Sequence, residues 1–177
     1  MTSTALTQRA PSTANWRWLW LSALAIGVDQ LTKHWVLATF RPGEELPLAP
    51  FASLVLAFNR GAAFSFLAGE GGWQRWLFAL IAIVACAVML WLMRRGGRAL
   101  FCAGLALIIG GALGNLYDRL TLGHVVDFVL IHYREWYYPA FNVADSAITV
   151  GAAALIVDSF RERRAPEAAR RADGKDD

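Results

Sequence analysis

Trp73-Gln74-Arg75-Trp76-Leu77-Phe78-Ala79-Leu80-Ile81-Ala82-Ile83-Val84-Ala85-Cys86-Ala87-Val88-Met89-Leu90-Trp91-Leu92-Met93 is almost purely apolar. A helix of about 18 or more such residues is long enough to cross a hydrocarbon core about 30 Å thick. Arg94, Arg95 and Arg98 follow at once, and a second apolar run rich in small residues extends from Ala99 to about Leu116. The two runs read as a hairpin of spans joined by a short basic turn. Outward from this hairpin lie two further candidates. One, from Trp16 to about Phe40, is interrupted by Asp29, Lys33 and His34; the other runs from about Asn142 to Phe160. The expected fold is a mainly α membrane protein of four transmembrane helices with a small extracytoplasmic β-sheet.

Composition supports this class. Of 177 residues, 56% are hydrophobic and eight are Trp, and the mean hydropathy is +0.39. That apolar fraction exceeds the norm for a soluble domain. The net charge is only +3, and the basic residues cluster beside apolar runs, as topology signals do, which argues against nucleic-acid binding. Cys86 and Cys102 both fall inside apolar runs; neither has the neighbours that a zinc site needs, and neither suggests a disulfide. Ile83-Val84-Ala85-Cys86 is similar to a lipid-modification box, but its mid-helix position makes it a packing element. The first run is too long for a signal peptide and lacks a small-x-small site after it.

Arginine and lysine orient the chain. Arg9 and Arg17 precede the first run, Arg94, Arg95 and Arg98 fill the turn, and Arg161, Arg163, Arg164, Arg170, Arg171 and Lys175 follow the fourth. Both termini are therefore expected in the cytoplasm, with segments 41–72 and 117–141 outside. Residues 1–15 and 163–177 are expected to be disordered cytoplasmic tails flanking one four-helix transmembrane domain, 16–162. Within the outer segment, Pro42-Gly43 and Pro47 mark turns, Ser53–Phe58 suits a strand, and Asn59-Arg60-Gly61 suits a turn before Ala62–Leu67. A small sheet within 41–67, resting on the outer membrane surface, is the expectation. Trp136, Tyr137 and Tyr138 resemble an interfacial aromatic belt.

Depth brings the polar residues together. At about 1.5 Å per helical residue, Asp29 stands roughly 18 Å from Arg17, and Lys33 roughly 24 Å from it. Asn115 stands roughly 26 Å from Arg98, and Asp145 roughly 24 Å from Arg161. Three helices thus place polar groups at one level near the outer boundary. Asp29 and Lys33, four residues apart, share a face; they either neutralise each other or also let Lys33 reach substrate or backbone near the acids. Gly110 and Gly114 suit close helix packing. Asp118 and Arg119 follow at the rim, where they could pair with each other or Arg119 could orient the site. Asp145 could be an acid complementing a helix N-terminus, with Asn142 as its cap. Asp127, within His124-Val125-Val126-Asp127-Phe128-Val129, has no such explanation. Two carboxyls sharing a site cannot both ionise easily, and that asymmetry suits acid/base hydrolysis of a peptide bond.

Five blocks carry a resemblance. They are Asp29-Gln30-Leu31-Thr32-Lys33, Phe58-Asn59-Arg60-Gly61-Ala62-Ala63-Phe64, Gly110-Gly111-Ala112-Leu113-Gly114-Asn115-Leu116-Tyr117-Asp118-Arg119, His124-Val125-Val126-Asp127-Phe128 and Phe141-Asn142-Val143-Ala144-Asp145-Ser146. In this order they resemble the lipoprotein signal peptidase (signal peptidase II) family. The resemblance implies an aspartic endopeptidase of the bacterial inner membrane. It would act on prolipoproteins carrying diacylglycerol on the lipobox cysteine and cut N-terminal to that cysteine. It further implies Asp127 and Asp145 as the catalytic pair, with Asp29, Lys33, Asn59, Gly61, Asn115, Arg119 and Asn142 as supporting or substrate-binding residues. Neither metal nor cofactor is expected. Membrane lipid and globomycin-type cyclic peptides are the other implied partners, and a monomer is expected. Two rival readings stay open on the residues alone: a proton or ion relay through Asp29, Lys33, Asp127 and Asp145, and a non-catalytic membrane scaffold.

Overall fold

The computed structural model describes residues 15–61 and 72–173, with side chains as far as Arg161. The tail 1–14, residues 62–71 (with the apolar Ala62–Leu67) and residues 174–177 lie outside the described residues.

A single 3-10 turn, Trp16–Trp18, leads into α1 (Leu19–Thr39). Strands β1 (Glu45–Ala49) and β2 (Ala52–Asn59) follow, then α2 (Gln74–Arg94) and α3 (Ala99–Thr121). The chain continues through β3 (Val125–Tyr133) and β4 (Trp136–Tyr137) into α4 (Val143–Asp173). Among the described residues, Gln74–Arg94, Ala99–Thr121 and Val143–Arg161 are long and apolar enough to cross a membrane. Helix α1 matches α2 in length, but Asp29 and Lys33 dilute its apolar character, and both are buried within the protein.

Helix α3 is the hub: α1, α2 and α4 all pack on it. Its small residues make this possible, because helices without bulky side chains between them approach closely. A Cβ on Gly110 would sit 2.8 Å from Ser22 O and Ala25 Cβ of α1. Gly104 and Gly151 face each other across α3 and α4, and a Cβ on either would come within 2.8 Å of the other's carbonyl oxygen. Cys86, Met93, Leu105, Ala106, Ile109 and Ala112 fill the α2–α3 seam, so both cysteines pack in the interior as expected. Ser22 Oγ donates to Ala106 O at 2.7 Å, satisfying a buried hydroxyl between α1 and α3. The outward faces carry Trp20, Leu24, Leu31, Trp35, Leu80, Ile81, Val84 and Phe160, all exposed. An apolar exterior of that extent fits lipid as the solvent.

The sheet is antiparallel in the order β1-β2-β3-β4. It corrects the sequence expectation in one respect: the sheet is not confined to 41–67 but recruits β3, with Asp127 opposite Ala57 and Val125 opposite Asn59. Val36 of α1 and Phe40 just after it pack with Leu56, Val126 and Phe128 of the sheet. The segment after β4 returns to β3, where Phe141 N donates to Val129 O and Val129 N donates to Phe141 O. That bridge fixes the entrance of α4 beside Asp127.

Two helix ends also differ from expectation. Helix α3 runs past Leu116 to Thr121, so Asp118 and Arg119 are helical residues, and Asp118 is buried. Helix α4 continues to Asp173, through residues 163–173 that were expected to be disordered. Ala, Arg and Glu are strong helix formers, and the loss of apolar character there marks where a bilayer would end, not where hydrogen bonding stops.

Candidate active site

Asp127 is 2% exposed on β3. Asn142, just before α4, aims its amide nitrogen at Asp127 Oδ1 (2.7 Å), Asn115 Oδ1 (3.1 Å) and Val126 O (3.2 Å). Asn115 on α3 in turn donates to Asp145 Oδ1 at 2.7 Å. Asn59 at the end of β2 donates to the other oxygen of Asp127 at 3.1 Å. The two acids are therefore linked by a chain of neutral amides, Asp127–Asn142–Asn115–Asp145, contributed by β3, the α4 entrance, α3 and α4.

The start of α4 explains how Asp145 is held. Asp145 N donates to Asn142 Oδ1 at 2.9 Å, and Asn142 N donates to Asp145 Oδ2 at 3.3 Å. This reciprocal pair is a capping box, which satisfies two otherwise orphaned donors. Asp145 is thus both a first-turn acid of a helix and a member of the cluster; the two sequence readings of it are compatible.

Beneath this layer lies a second one. Lys33, 1% exposed, sits 2.8 Å from Asp29 Oδ2, 2.8 Å from Asp118 Oδ2 and 3.0 Å from Asn115 Oδ1. It does more than neutralise Asp29, and its burial directs it to Asn115 and not to a ligand in the cleft. Asp29 Oδ1 accepts from Ala144 N at 2.9 Å, and Asp118 Oδ2 accepts from Val126 N at 3.2 Å. Gln30 aims its amide nitrogen at Asp118 Oδ1 (2.9 Å), Asp29 Oδ2 (3.2 Å) and Gly114 O (3.3 Å). A Cβ on Gly114 would lie 2.7 Å from Asp29 Oδ2, so glycine leaves the room this carboxylate occupies. Sequence reasoning gave neither Asp118 nor Gln30 a place in the cluster. The available signal was spacing: Asp118 is three residues beyond Asn115, on the same face of α3.

Arg119 makes no ion pair with Asp118. It donates to Asn115 O and Gly61 O, each at 3.3 Å, and its guanidinium lies 5.1 Å from the Phe78 ring centre. Gly61 N donates to Asn59 Oδ1 at 3.0 Å, closing a side-chain turn. Gly61 does not adopt positive φ; its backbone carbonyl is what Arg119 contacts. Asn59, which the resemblance implies as a supporting or substrate-binding residue, has its amide engaged by Asp127 and Gly61.

Asn59, Gly61, Asn115, Arg119, Tyr138, Phe141 and Asp145 line a cleft of about 240 Å³. A neighbouring groove of about 330 Å³ shares Tyr138, Phe141, Asp145 and Thr149 and continues to Val150 on the exposed flank of α4. Asp145 is half-buried and faces both. Burial, followed by the charge of Asp145, pushes the Asp127 carboxyl up to about 7. Hydrogen bonds from Asn59 and Asn142 and the charge of Lys33 oppose that rise. One acid held near neutrality beside a second, more accessible one is an arrangement that can give and take protons in a water-poor site.

The family model described as signal peptidase (SPase) II matches residues 21–161. A lipoprotein signal peptidase from Pseudomonas aeruginosa (strain UCBPP-PA14) is 54% identical over 156 residues, covering 86% of this chain and 92% of the relative. One from Ralstonia nicotianae is 55% identical over 148 residues, covering 83% and 86%. A solved structure titled as a bacterial membrane enzyme, determined by the in meso method at 2.3 Å resolution, superposes with a TM-score of 0.76. It has 24% sequence identity over 88% of this chain and 94% of that one, which shows a shared fold. The chain belongs to the signal peptidase II family.

Proposed function

We propose that Asp127 and Asp145 are the acid/base pair with which this signal peptidase removes signal peptides from prolipoproteins. The observation that carries the reading is the amide chain joining the buried Asp127 to Asp145, which lines the cleft. Membership of a peptidase family disfavours the ion-relay and scaffold alternatives.

In the reaction, one proton is shared between the acids. The ionised carboxylate takes a proton from a water molecule, whose oxygen attacks the carbonyl carbon of the scissile bond. The protonated carboxyl donates a hydrogen bond, not its proton, to the carbonyl oxygen and stabilises the negative charge of the tetrahedral intermediate. As the C–N bond breaks, a proton passes from the pair to the departing amine, and the pair returns to its starting charge. Burial makes Asp127 the side that resists ionisation, while Asp145 faces the cleft. The apparent values belong to the pair. Arg119, pinned between Asn115 and Gly61, sets the rim against which the substrate backbone lies.

The substrate is a prolipoprotein already carrying a diacylglyceryl cysteine, cut on the N-terminal side of that residue. The groove along α4 supports this, since it leads from Asp145 to the apolar flank of the protein, where acyl chains can remain in lipid. The reading places all four helices across the bacterial inner membrane, with α1 shielding its charges inside the bundle, both termini in the cytoplasm and the acids near the outer face. The protein acts as a monomer in contact with membrane lipid. A globomycin-type cyclic peptide would compete for the cleft.

Asp127→Asn and Asp145→Asn test the reading. Each lowers turnover of a purified lipidated prolipoprotein by at least about 100-fold, while expression and membrane insertion persist. Near-normal turnover in either variant would refute the pair.

A further inference from the structure

The two proposed catalytic acids are each preceded by a residue whose backbone N–H is gripped by another acid. Val126 N, before Asp127, donates to Asp118; Ala144 N, before Asp145, donates to Asp29. The gripping acids come from different helices, α3 and α1, and a single buried lysine joins them, 2.8 Å from each. Gln30 spans the same two carboxylates from the side.

We propose that Asp29, Lys33 and Asp118, braced by Gln30, form a yoke that sets the separation of the two catalytic acids by holding the backbone one residue ahead of each. The inference rests on the dyad reading. These are positioning residues: their contacts reach the reacting atoms through the backbone and through Asn115, and the charge of Lys33 also bears on Asp127.

The energetics favour this role over simple stabilisation. Two carboxylates and one ammonium in the interior are costly to desolvate, and an ion cluster of this kind is often no more stabilising than a well-packed apolar one. What it supplies is direction. A backbone N–H donates along one line, and a charged acceptor makes that bond roughly twice as strong as a neutral acceptor does. At their junction, strand β3 and the entrance to α4 are joined by the backbone bonds of Phe141 with Val129 and Phe128 and by the Asn142 side chain, which donates to Val126 O and Asp127 Oδ1. All of these bonds come from Phe141 and Asn142, ahead of the first turn of α4, and the yoke adds a second clamp that reaches Ala144 within that turn. The yoke runs from the strand through Asp118, Lys33 and Asp29 to the first turn of the helix, so it resists a shift of the strand carrying Asp127 relative to the helix carrying Asp145.

The test compares Asp118→Ala, which removes the acceptor for Val126 N, with Asp118→Asn, which keeps an oxygen there and loses the charge. Gln30→Leu removes the brace alone. Activity is measured per folded enzyme in detergent, with the folded fraction taken from size-exclusion chromatography. Asp118→Ala is expected to lower kcat about 100-fold, the scale of a displacement on the order of 1 Å at a reacting group, with KM within about twofold of the parent, as uniform binding is untouched. Asp118→Asn is expected to recover a large part of kcat, and Gln30→Leu to lose less than either. A kcat for Asp118→Ala equal to the parent's, or no recovery in Asp118→Asn, overturns the yoke. If Asp118→Ala does not fold, Gln30→Leu decides: an unchanged kcat overturns the proposal, a lowered kcat at constant KM supports it. Asp127→Asn and Asp145→Asn run in the same assay separate the two ideas. Residual turnover in those variants defeats the dyad, whereas their loss beside an unaffected Asp118→Ala defeats the yoke alone.

Discussion

The bundle holds ion pairs at its two ends, and they are built differently. At the sheet end, Lys33, Asp29 and Asp118 are closed off, with side chains at most 2% exposed. At the other end, Arg98 clasps Asp158 through two nitrogen–oxygen contacts of 2.9 and 2.8 Å, and the arginine side chain is 47% exposed. A cavity of about 260 Å³ lined by Gly96, Gly97, Arg98, Phe101 and Asp158 opens beside it. Equal distances therefore carry unequal consequences. A closed ion cluster cannot exchange a lost partner for water; an open pair can.

The largest effect is expected at Lys33. Lys33→Met preserves much of the stem volume and leaves two carboxylates facing each other without their cation. Removing one member of a buried pair costs roughly 3–5 kcal/mol, enough to collapse most of a typical domain's stability. The folded yield in detergent should fall sharply, and Asp29→Asn combined with Lys33→Met should recover part of it by removing one stranded charge. A double variant no better than the single would mean that the cost is packing and not charge.

Paired glycine substitutions sharpen the contrast between stability and chemistry. A Cβ at Gly111 would meet the carbonyl oxygen of Ala144, immediately before Asp145. A Cβ at Gly104 would lie 2.8 Å from Gly151 O, far from either acid in the bundle. Both alanines overpack the α3–α4 seam, at about 1–3 kcal/mol each. Only Gly111→Ala moves the turn that holds Asp145, so it should lower kcat per folded enzyme while Gly104→Ala leaves it near the parent value. Equal kcat in the two variants would disconnect the seam from the site.

The acids also differ from the rest of the bundle in their response to pH. Because the folded-state value of Asp127 lies at about 7, above the ordinary carboxylate range, the proton is held more tightly in the folded protein. Its contribution to stability is fully present at low pH and falls as pH rises toward about 7, by linkage. Activity that needs the shared proton should decline about tenfold per pH unit above that region. A pH–kcat profile flat from 6 to 9 would show that no shared proton limits turnover.

How much of this was legible in the chain depends on which physical signal carried it. The apolar runs marked the helices because hydrophobic length is local. The common depth of Lys33, Asn115 and Asp145 was readable because helical rise is regular, and the structure brings these residues into one bonded cluster. The strand at Val125–Tyr133 was not readable in the same way. Its first four residues are all buried, so the alternation that marks a half-exposed strand is missing, and its partner β2 is distant in sequence. Asp118 was misplaced because apolar character ends near Leu116 while the helix does not. The grip of Asp118 on Val126 N depends on how β3 folds back on α3, which no spacing along one helix reveals.

The smallest effect is expected at the open pair. Arg98→Ala removes both contacts to Asp158 and the bond from the arginine to the Asp158 carbonyl at 2.7 Å. Asp158 is itself largely covered, which argues for a penalty; the adjoining cavity and the half-exposed arginine argue against one. Solvent decides between them, since water entering where the guanidinium stood can hydrate the carboxylate. The cost should therefore stay near that of an exposed pair, about 1 kcal/mol or less, with a small fall in Tm and unchanged kcat. Raising the salt concentration should narrow the gap between Arg98→Ala and the parent, because exposed pairs are screened, and should leave the deficit of Lys33→Met in place, because closed clusters are screened far less. An Arg98→Ala loss as large as that of Lys33→Met, and as indifferent to salt, would show that the two ends of the bundle are closed alike.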